Sequence, residues 1–369
     1  MGKIKILYVI SGLEVGGAET MLKRIVIGID KKKYYPVVCS LTTKGPIGEE
    51  LEKQKIPVYS LQCKNSLQIF SALKKLKEII KKEQPKIING FMMHANLLVR
   101  FAKTSKDQKI ICSVRERGIK TKFLNMIDKL TQNKVDKYIA NAETVKEFMI
   151  SYGIDKEKIK VIYNGIDIEN FLKPLSLTEE EIRKKYGINN KKQCITMIAN
   201  LRPQKDHETL IRAFAKANVD ANLLICGSAQ NFEKRKKKLE KLAKELSIGD
   251  KVYFLGFVKD TREILKIADI WISTTLYEGQ SNALIEAMLF KKAIITTDIL
   301  ENRELLNDKK EALLCKPKDI NDIAQKIKEL FENKKMAKQL GKYAFEKAKK
   351  FKIEQVMQQL EQQYEEVLS

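Results

Sequence analysis

From one end of the chain to the other, short β-branched runs alternate with stretches of helical periodicity, and no other pattern limits the fold as strongly. In the first half the strand candidates are Ile4–Ile10, Pro36–Leu41, Pro57–Leu61, Lys86–Phe91, Lys109–Val114 and Lys137–Ala140. Helical patterns fall between them at Ala18–Ile29, Ser66–Glu83 and Asn96–Lys106. Strands of this length interleaved with helices predict βαβ units and a parallel sheet covered on both faces. The alternation pauses over Lys160–Leu172, where Asn164-Gly165 is a turn signal and Pro174 follows. It then restarts, with strands at Cys194–Ala199, Leu223–Gly227, Val252–Leu255, Asp269–Ser273 and Ala293–Thr297. Helices are expected at His207–Ala217, Phe232–Leu246 and Asn282–Phe290, and the tail Asp319–Leu368 reads as nearly continuous helix. The expectation is an α/β protein of two Rossmann-like domains, 1–168 and 169–352, facing each other across a cleft. A last helix, 353–369, packs back on the first domain. Ligands of open parallel sheets bind at the carboxyl ends of the strands, so two facing sheets suit a donor and an acceptor.

Composition narrows the class. A chain of 369 residues supports two cores. No apolar run approaches the roughly 18 residues that would span a bilayer. Met1–Ile10 runs from lysines straight into a strand pattern with no small-residue cleavage site, which predicts a cytoplasmic protein. The six cysteines are scattered, as expected of reduced thiols rather than of a disulfide framework or metal clip. The charge is the unusual quantity: the chain carries a formal +23, and residues 1–170 hold 32 Lys and Arg against 18 Asp and Glu. Such a surplus favours anionic partners, whether acidic lipid headgroups or phosphorylated substrates. No nucleic-acid recognition motif accompanies it, so nucleic acid is not an expected partner.

Four segments carry candidate chemistry. Ser11–Glu19, SGLEVGGAE, follows the first strand and opens a helix; Gly16 and Gly17 let backbone amides approach a phosphate or sugar, although their spacing is not the dinucleotide fingerprint. Tyr277–Met288, YEGQSNALIEAM, places Ser281 as cap of an apolar helix in which Glu286 is the one acid. A carboxylate there needs partners, and a vicinal diol such as a ribose supplies two donors. Glu278 lies in the loop just before, and the amides of Gly279 to Asn282 favour an anion. Asn200–Lys205 follows a strand, so that Arg202 and Lys205 are placed to grip a diphosphate. His94 follows the strand Lys86–Phe91, where an imidazole suits contact with a reacting sugar, although a lone histidine among apolar residues is also a common core feature.

Taken together, these motifs resemble the family-4 retaining glycosyltransferases of GT-B fold, over essentially the whole chain. The most specific element is Glu278 with Glu286 eight positions on, in EGQSNALIEAM. Gly16 and Gly17, Lys205, Phe254–Val258, Ala268–Ile270 and Asn164–Asp167 fall in the family's order. The resemblance implies that Glu286 holds the nucleotide ribose, Glu278 the donor-sugar hydroxyls and Lys205 the diphosphate. It implies further that Phe257 and Val258 meet the base through their backbone, that Gly16 and Gly17 line the cleft, and that His94 is the active-site histidine. Two departures stand out: Asn200 occupies the place of the family's usual Arg, with Arg202 two positions later, and the glycine-rich turn after Leu223–Cys226 is reduced to Gly227-Ser228-Ala229.

The expected function is a retaining glycosyltransferase using a nucleotide sugar, most naturally a UDP-sugar, as substrate and needing no cofactor. With no Asp-x-Asp pair, no divalent metal is expected. The acceptor is a polysaccharide or lipid-linked glycan, and the lysine-rich first domain, with clusters at Leu73–Lys86 and Lys120–Lys137, suits peripheral attachment to an anionic membrane surface. Two other readings compete. One is a different GT-B sugar-nucleotide enzyme, such as a phosphorylase or 2-epimerase; the other is a non-catalytic module that binds anionic surfaces.

Overall fold

A computed structural model describes residues 2–115, 117, 122–188, 191–229 and 232–369. The chain divides into two compact units, unit 1 comprising Met1–Asp167 and Phe351–Ser369 and unit 2 comprising Ile168–Lys350. Unit 1 contains strands β1 (Ile4–Ile10), β2 (Tyr34–Ser40), β3 (Val58–Ser60), β4 (Ile87–Phe91), β5 (Lys109–Val114), β6 (Lys137–Ala140) and β7 (Ile159–Val161). Unit 2 contains β8 (Gln193–Ile198), β9 (Ala221–Cys226), β10 (Val252–Gly256), β11 (Ile270–Ser273), β12 (Ala293–Thr297) and β13 (Leu313–Cys315). Each unit builds one sheet, ordered β3-β2-β1-β4-β5-β6-β7 in unit 1 and β10-β9-β8-β11-β12-β13 in unit 2. Every pairing in both is parallel.

Strands buried on both faces are apolar along their whole length, and the sequence supplies this: the middle of β1, Ile6–Ile10, has no exposed surface. In unit 1 one face of the sheet packs on the helices Gly17–Gly28 and Ile353–Leu368, the other on Ile69–Glu83, Met93–Val99 and Glu143–Ser151. In unit 2 the apolar face of His207–Ala217, including Leu210, Ile211 and Phe214, closes the main core. Five of the six free cysteines are buried, and burial pushes the thiols of Cys39, Cys226 and Cys315 up to about 12, which keeps them protonated.

The chain re-enters unit 1 at its end through a short exchange of backbone bonds. Ile166 N donates to Phe351 O at 2.9 Å, and Ile353 N donates to Ile166 O at 3.0 Å. Gly165 makes the approach possible, since a Cβ there would lie 2.9 Å from the Ile353 Cα. The final helix then buries Val356, Met357, Leu360 and Tyr364. Tyr364 joins a fully buried polar chain: its hydroxyl meets that of Tyr8 at 3.1 Å and accepts from Asn89 Nδ2 at 3.2 Å, while Ser113 Oγ donates to Asn89 Oδ1.

Two helices differ from expectation. The helix expected over Asn96–Lys106 ends at Val99, because Arg100 turns inward to an ion pair with Asp128 and Gln108 Oε1 accepts the amides of Thr104 and Ser105. Bonds of this kind offer the backbone an alternative to the helix. The tail breaks into Ile320–Glu332, Lys334–Ala348 and Ile353–Leu368. Asn333, which caps the second of these by accepting from Met336 N, makes the first break.

Replacing Tyr364 by Phe keeps its volume but strips Asn89 and Tyr8 of a partner inside the core. The expected cost is about 1–3 kcal/mol in chemical denaturation. An unchanged unfolding midpoint would show that the buried chain contributes nothing.

Candidate active site

In a parallel sheet the loops that follow the strands collect at one edge, and the gap between them is widest where the strand order reverses. In unit 2 that point lies between β8 and β11, the strands preceding the two most informative motifs. After β8 the chain runs through Asn200, Leu201 and Arg202 into a single 3₁₀ turn, Pro203–Lys205, and Asp206 adopts the left-handed conformation (φ 49°) before His207–Ala217. After β11, Thr274 and Thr275 stitch the two loops together. Thr274 Oγ1 donates to the carbonyls of Lys205 (3.1 Å) and Asp206 (3.0 Å), and Leu276 N donates to Gln204 O at 2.8 Å. The result is an ion pair, partly exposed, between Lys205 Nζ and Glu278 Oε2, which Thr275 Oγ1 also reaches at 3.4 Å.

Behind this pair, Ser281 caps the helix Asn282–Leu289 by accepting from Leu284 N at 3.3 Å. Glu286 is buried, with 8% of its surface exposed, and its Oε2 accepts from Thr261 Oγ1 at 3.0 Å. Gly279 is buried and Asn282 half-buried in the loop and cap between the two acids. The loop after β9 is tied to both neighbouring strand ends: Gly227 N donates to Gly256 O, at the end of β10, at 2.8 Å, and Ser228 N donates to Asn200 Oδ1, after β8, at 2.9 Å. A Cβ on Gly227 would fall 2.0 Å from Ala199 O, so only glycine fits. Asn200 therefore holds two strand ends together. Arg202 is exposed, Phe257 is exposed just after β10, and Val258 is buried beside it.

In unit 1 the reversal falls between β1 and β4. Gly16 caps the helix Gly17–Gly28 in an extended conformation, φ −158°, so its role is space and not an unusual dihedral. A Cβ on Gly16 would meet Glu19 Oε2 at 2.3 Å, which places this carboxylate over the first turn, where the helix dipole favours it. His94 is exposed in the helix Met93–Val99, two residues after a strained junction: Met92 has φ 68° and ψ 164°. Residues held in such sparsely populated regions are characteristic of functional sites. The two units thus carry Gly16, Gly17 and His94 on one sheet edge and Arg202, Lys205, Glu278, Ser281, Asn282 and Glu286 on the other.

Sequence reasoning missed the supporting residues. Thr261, Thr274, Thr275 and Asn200 show no periodicity and act through contacts between loops distant in sequence. His207, the second histidine, is fully buried; burial first, then the charges of Arg235 and Lys205, push its pKa down to about 3.

Comparison with known proteins first defines the class. The chain superimposes on Anabaena Alr3699/HepE in complex with UDP-glucose with a TM-score of 0.88 at 22% identity, covering 98% of this chain and 100% of that one. A glycosyltransferase from Rickettsia africae gives 0.83 at 23% identity over 100% of both chains. The fold is that of the GT-B glycosyltransferases. The sequence family described as Glycosyltransferase Family 4 matches residues 15–170, and Glycosyl transferases group 1 matches residues 178–347. The two together span most of the chain, which belongs to this group of glycosyltransferases.

Among its relatives is a Campylobacter jejuni enzyme, N-acetylgalactosamine-N,N'-diacetylbacillosaminyl-diphospho-undecaprenol 4-alpha-N-acetylgalactosaminyltransferase. That match is 28% identical over 239 residues, 63% of this chain and 62% of the relative. The N-acetyl-alpha-D-glucosaminyl L-malate synthase of Bacillus anthracis is 29% identical over 213 residues, 57% of this chain and 54% of the relative. The chain thus matches little more than half the length of these two relatives.

His207 provides a check on the loop after β8. Its folded pKa lies below the unfolded value, so the stability it contributes is complete above about pH 6.5 and is lost as pH falls toward 3. The slope is on the order of 1.4 kcal/mol per pH unit. Unfolding free energies of the wild type and His207→Leu, compared from pH 7 to pH 4, should diverge with the wild type falling faster. Parallel profiles would contradict a buried neutral imidazole.

Proposed function

We propose that this chain transfers a sugar, with retention of configuration, from a nucleotide-sugar donor to a polysaccharide or lipid-linked glycan acceptor. The observation that carries the reading is the Lys205–Glu278 pair at the unit 2 switch point, with Glu286 buried behind it. A cation and an anion held this close neutralise each other only until a ligand offers each a better partner. The donor diphosphate takes Lys205, Arg202 and the amides before Ser281, while Glu278 is released to the sugar hydroxyls. Glu286, oriented by Thr261, accepts from the ribose diol, and the backbone of Phe257 and Val258 meets the base. Charge grows on the leaving diphosphate in the transition state, so Lys205 and the helix N-terminus favour departure without a divalent ion. Within unit 1, His94 and the Gly16-Gly17 turn at the carboxyl edge of the sheet serve sugar binding.

UDP is the donor nucleotide in this reading, supported by the UDP-glucose complex of Alr3699/HepE. A lipid-linked acceptor is supported by the diphospho-undecaprenol in the Campylobacter relative's name. Such an acceptor sits at a membrane. Among the described residues no helix is long and apolar enough to cross one. Unit 1 does expose Phe123, Met126 and Leu130, at spacings of three and four on the helix Lys122–Leu130, and Lys74, Lys75, Lys81 and Lys82 on Ile69–Glu83. An exposed apolar stripe and exposed lysines each suit an anionic leaflet, each basic residue adding about 1 kcal/mol. Lys120, the first residue of the second lysine cluster, lies outside the described residues.

Calorimetry with UDP tests the donor site. Glu286→Ala should weaken binding by about 1–3 kcal/mol, and unchanged affinity in a folded variant would rule out the ribose role. Lys205→Ala should lower kcat more than it raises KM; a change in KM alone would remove Lys205 from leaving-group stabilisation. Activity should survive EDTA, and loss restored by magnesium or manganese would contradict the metal-free step. Anionic liposomes should co-sediment the wild type at low salt but not a variant with all four lysines changed to Glu. Equal binding to neutral vesicles, or none to either, would sink the membrane assignment.

A further inference from the structure

Arg115 directly follows β5 in unit 1, and only 8% of its surface is exposed. Its guanidinium stands over the Phe91 ring, 4.8 Å from the centroid, and Nη1 donates to Asn164 Oδ1 at 3.0 Å. Nε is buried without a hydrogen-bond partner, and no carboxylate among the described residues pairs with this side chain. The contrast with Arg100 is sharp, since that equally buried guanidinium is matched by Asp128. Burial draws the Arg115 pKa down to about 10, opposed only by the Tyr364 hydroxyl. Taking a cation out of water without a counter-charge costs several kcal/mol. Buried groups left unsatisfied in this way call for an explanation, and a missing ligand is one.

The surroundings say which ligand. Phe91 ends β4, Asn141 follows β6, and Asn164 follows β7, so four adjacent strands bring their carboxyl ends to Arg115. Asn141 Nδ2 donates to the Arg115 carbonyl at 3.1 Å and fixes the turn. A planar guanidinium with an unpartnered N–H, on the ligand-binding edge and with no carboxylate paired to it among the described residues, matches an oxyanion in fork geometry. We propose that Arg115 binds a phosphoryl group of a substrate, either the diphosphate of a lipid-linked acceptor or that of the nucleotide donor. The two sources rest on the transferase reading above; the oxyanion chemistry does not.

The test uses the full-length chain carrying Arg202→Ala and Lys205→Ala, so that phosphate contacts in unit 2 are silenced. Inorganic pyrophosphate should raise its unfolding temperature. Adding Arg115→Met should abolish that shift, and Arg115→Lys should restore part of it. Without pyrophosphate the Met form should unfold at or above the temperature of its parent, because an uncompensated buried charge has been removed; a clearly less stable Met form would make Arg115 a structural residue and overturn the proposal. Equal pyrophosphate shifts with and without Arg115, or none in either, would also overturn it. UDP titration with Arg202 and Lys205 intact then separates the sources. A tenfold or greater loss of UDP affinity in Arg115→Met assigns the oxyanion to the donor; unchanged UDP affinity with pyrophosphate protection lost assigns it to the acceptor. Failure of UDP to bind the wild type would count against the donor reading alone.

Discussion

Every strand pairing in both sheets is parallel, and each chain return therefore passes through a helix or long crossover on one face or the other. The consequence is a division of labour. Apart from the buried Tyr8–Asn89–Ser113 chain, the interior of each sheet is mainly apolar, while the carboxyl edge gathers the loops that carry the candidate chemistry. At the switch points the flanking loops diverge, and there the described structure spends polar groups: Lys205 with Glu278 in unit 2, and the Gly16–Gly17 turn with the strained Met92–His94 junction in unit 1. Thr274 and Thr275 matter because they hold the β8 and β11 loops at a fixed separation, so the ion pair is positioned by backbone bonds and not only by its own attraction.

Charge is handled in three ways. Most of the surplus lysines lie exposed, where a surface pair contributes at most about 1 kcal/mol and is weakened by salt. The Lys205–Glu278 pair is only partly exposed, so each partner is already desolvated in part and gains more from a ligand that replaces the other. Arg115 has no carboxylate partner among the described residues and is the most costly arrangement of the three. Increasing burial with decreasing compensation marks the progression from solvated surface to ligand site.

Much of this was legible in the residues. Period-two and β-branched runs report backbone geometry directly, so eleven of the strands and the two-unit division could be read from them. The short strands β7 and β13 were not separated from loops, although the equally short β3 was. Lys205, Glu278 and Glu286 stood out through charge placed at strand ends and on an apolar helix. Their supports did not: a threonine that reaches a carbonyl across two loops leaves no local signature, and Asn200 reads as a departure from a family pattern until its bond to Ser228 is seen. Arg115 was hidden for a different reason. A basic residue after a strand is ordinary, and only burial with no paired carboxylate among the described residues makes it distinctive.

The central claim is that a nucleotide sugar is held where the β8 and β11 loops meet in unit 2. Site-resolved hydrogen exchange on adding UDP tests it most directly, since it reports location independently of turnover. The amides of residues 199–206 and 278–286 should exchange more slowly with UDP bound, and the remainder of the unit 2 surface should be little changed. UDP binding without protection in either segment would contradict the assignment.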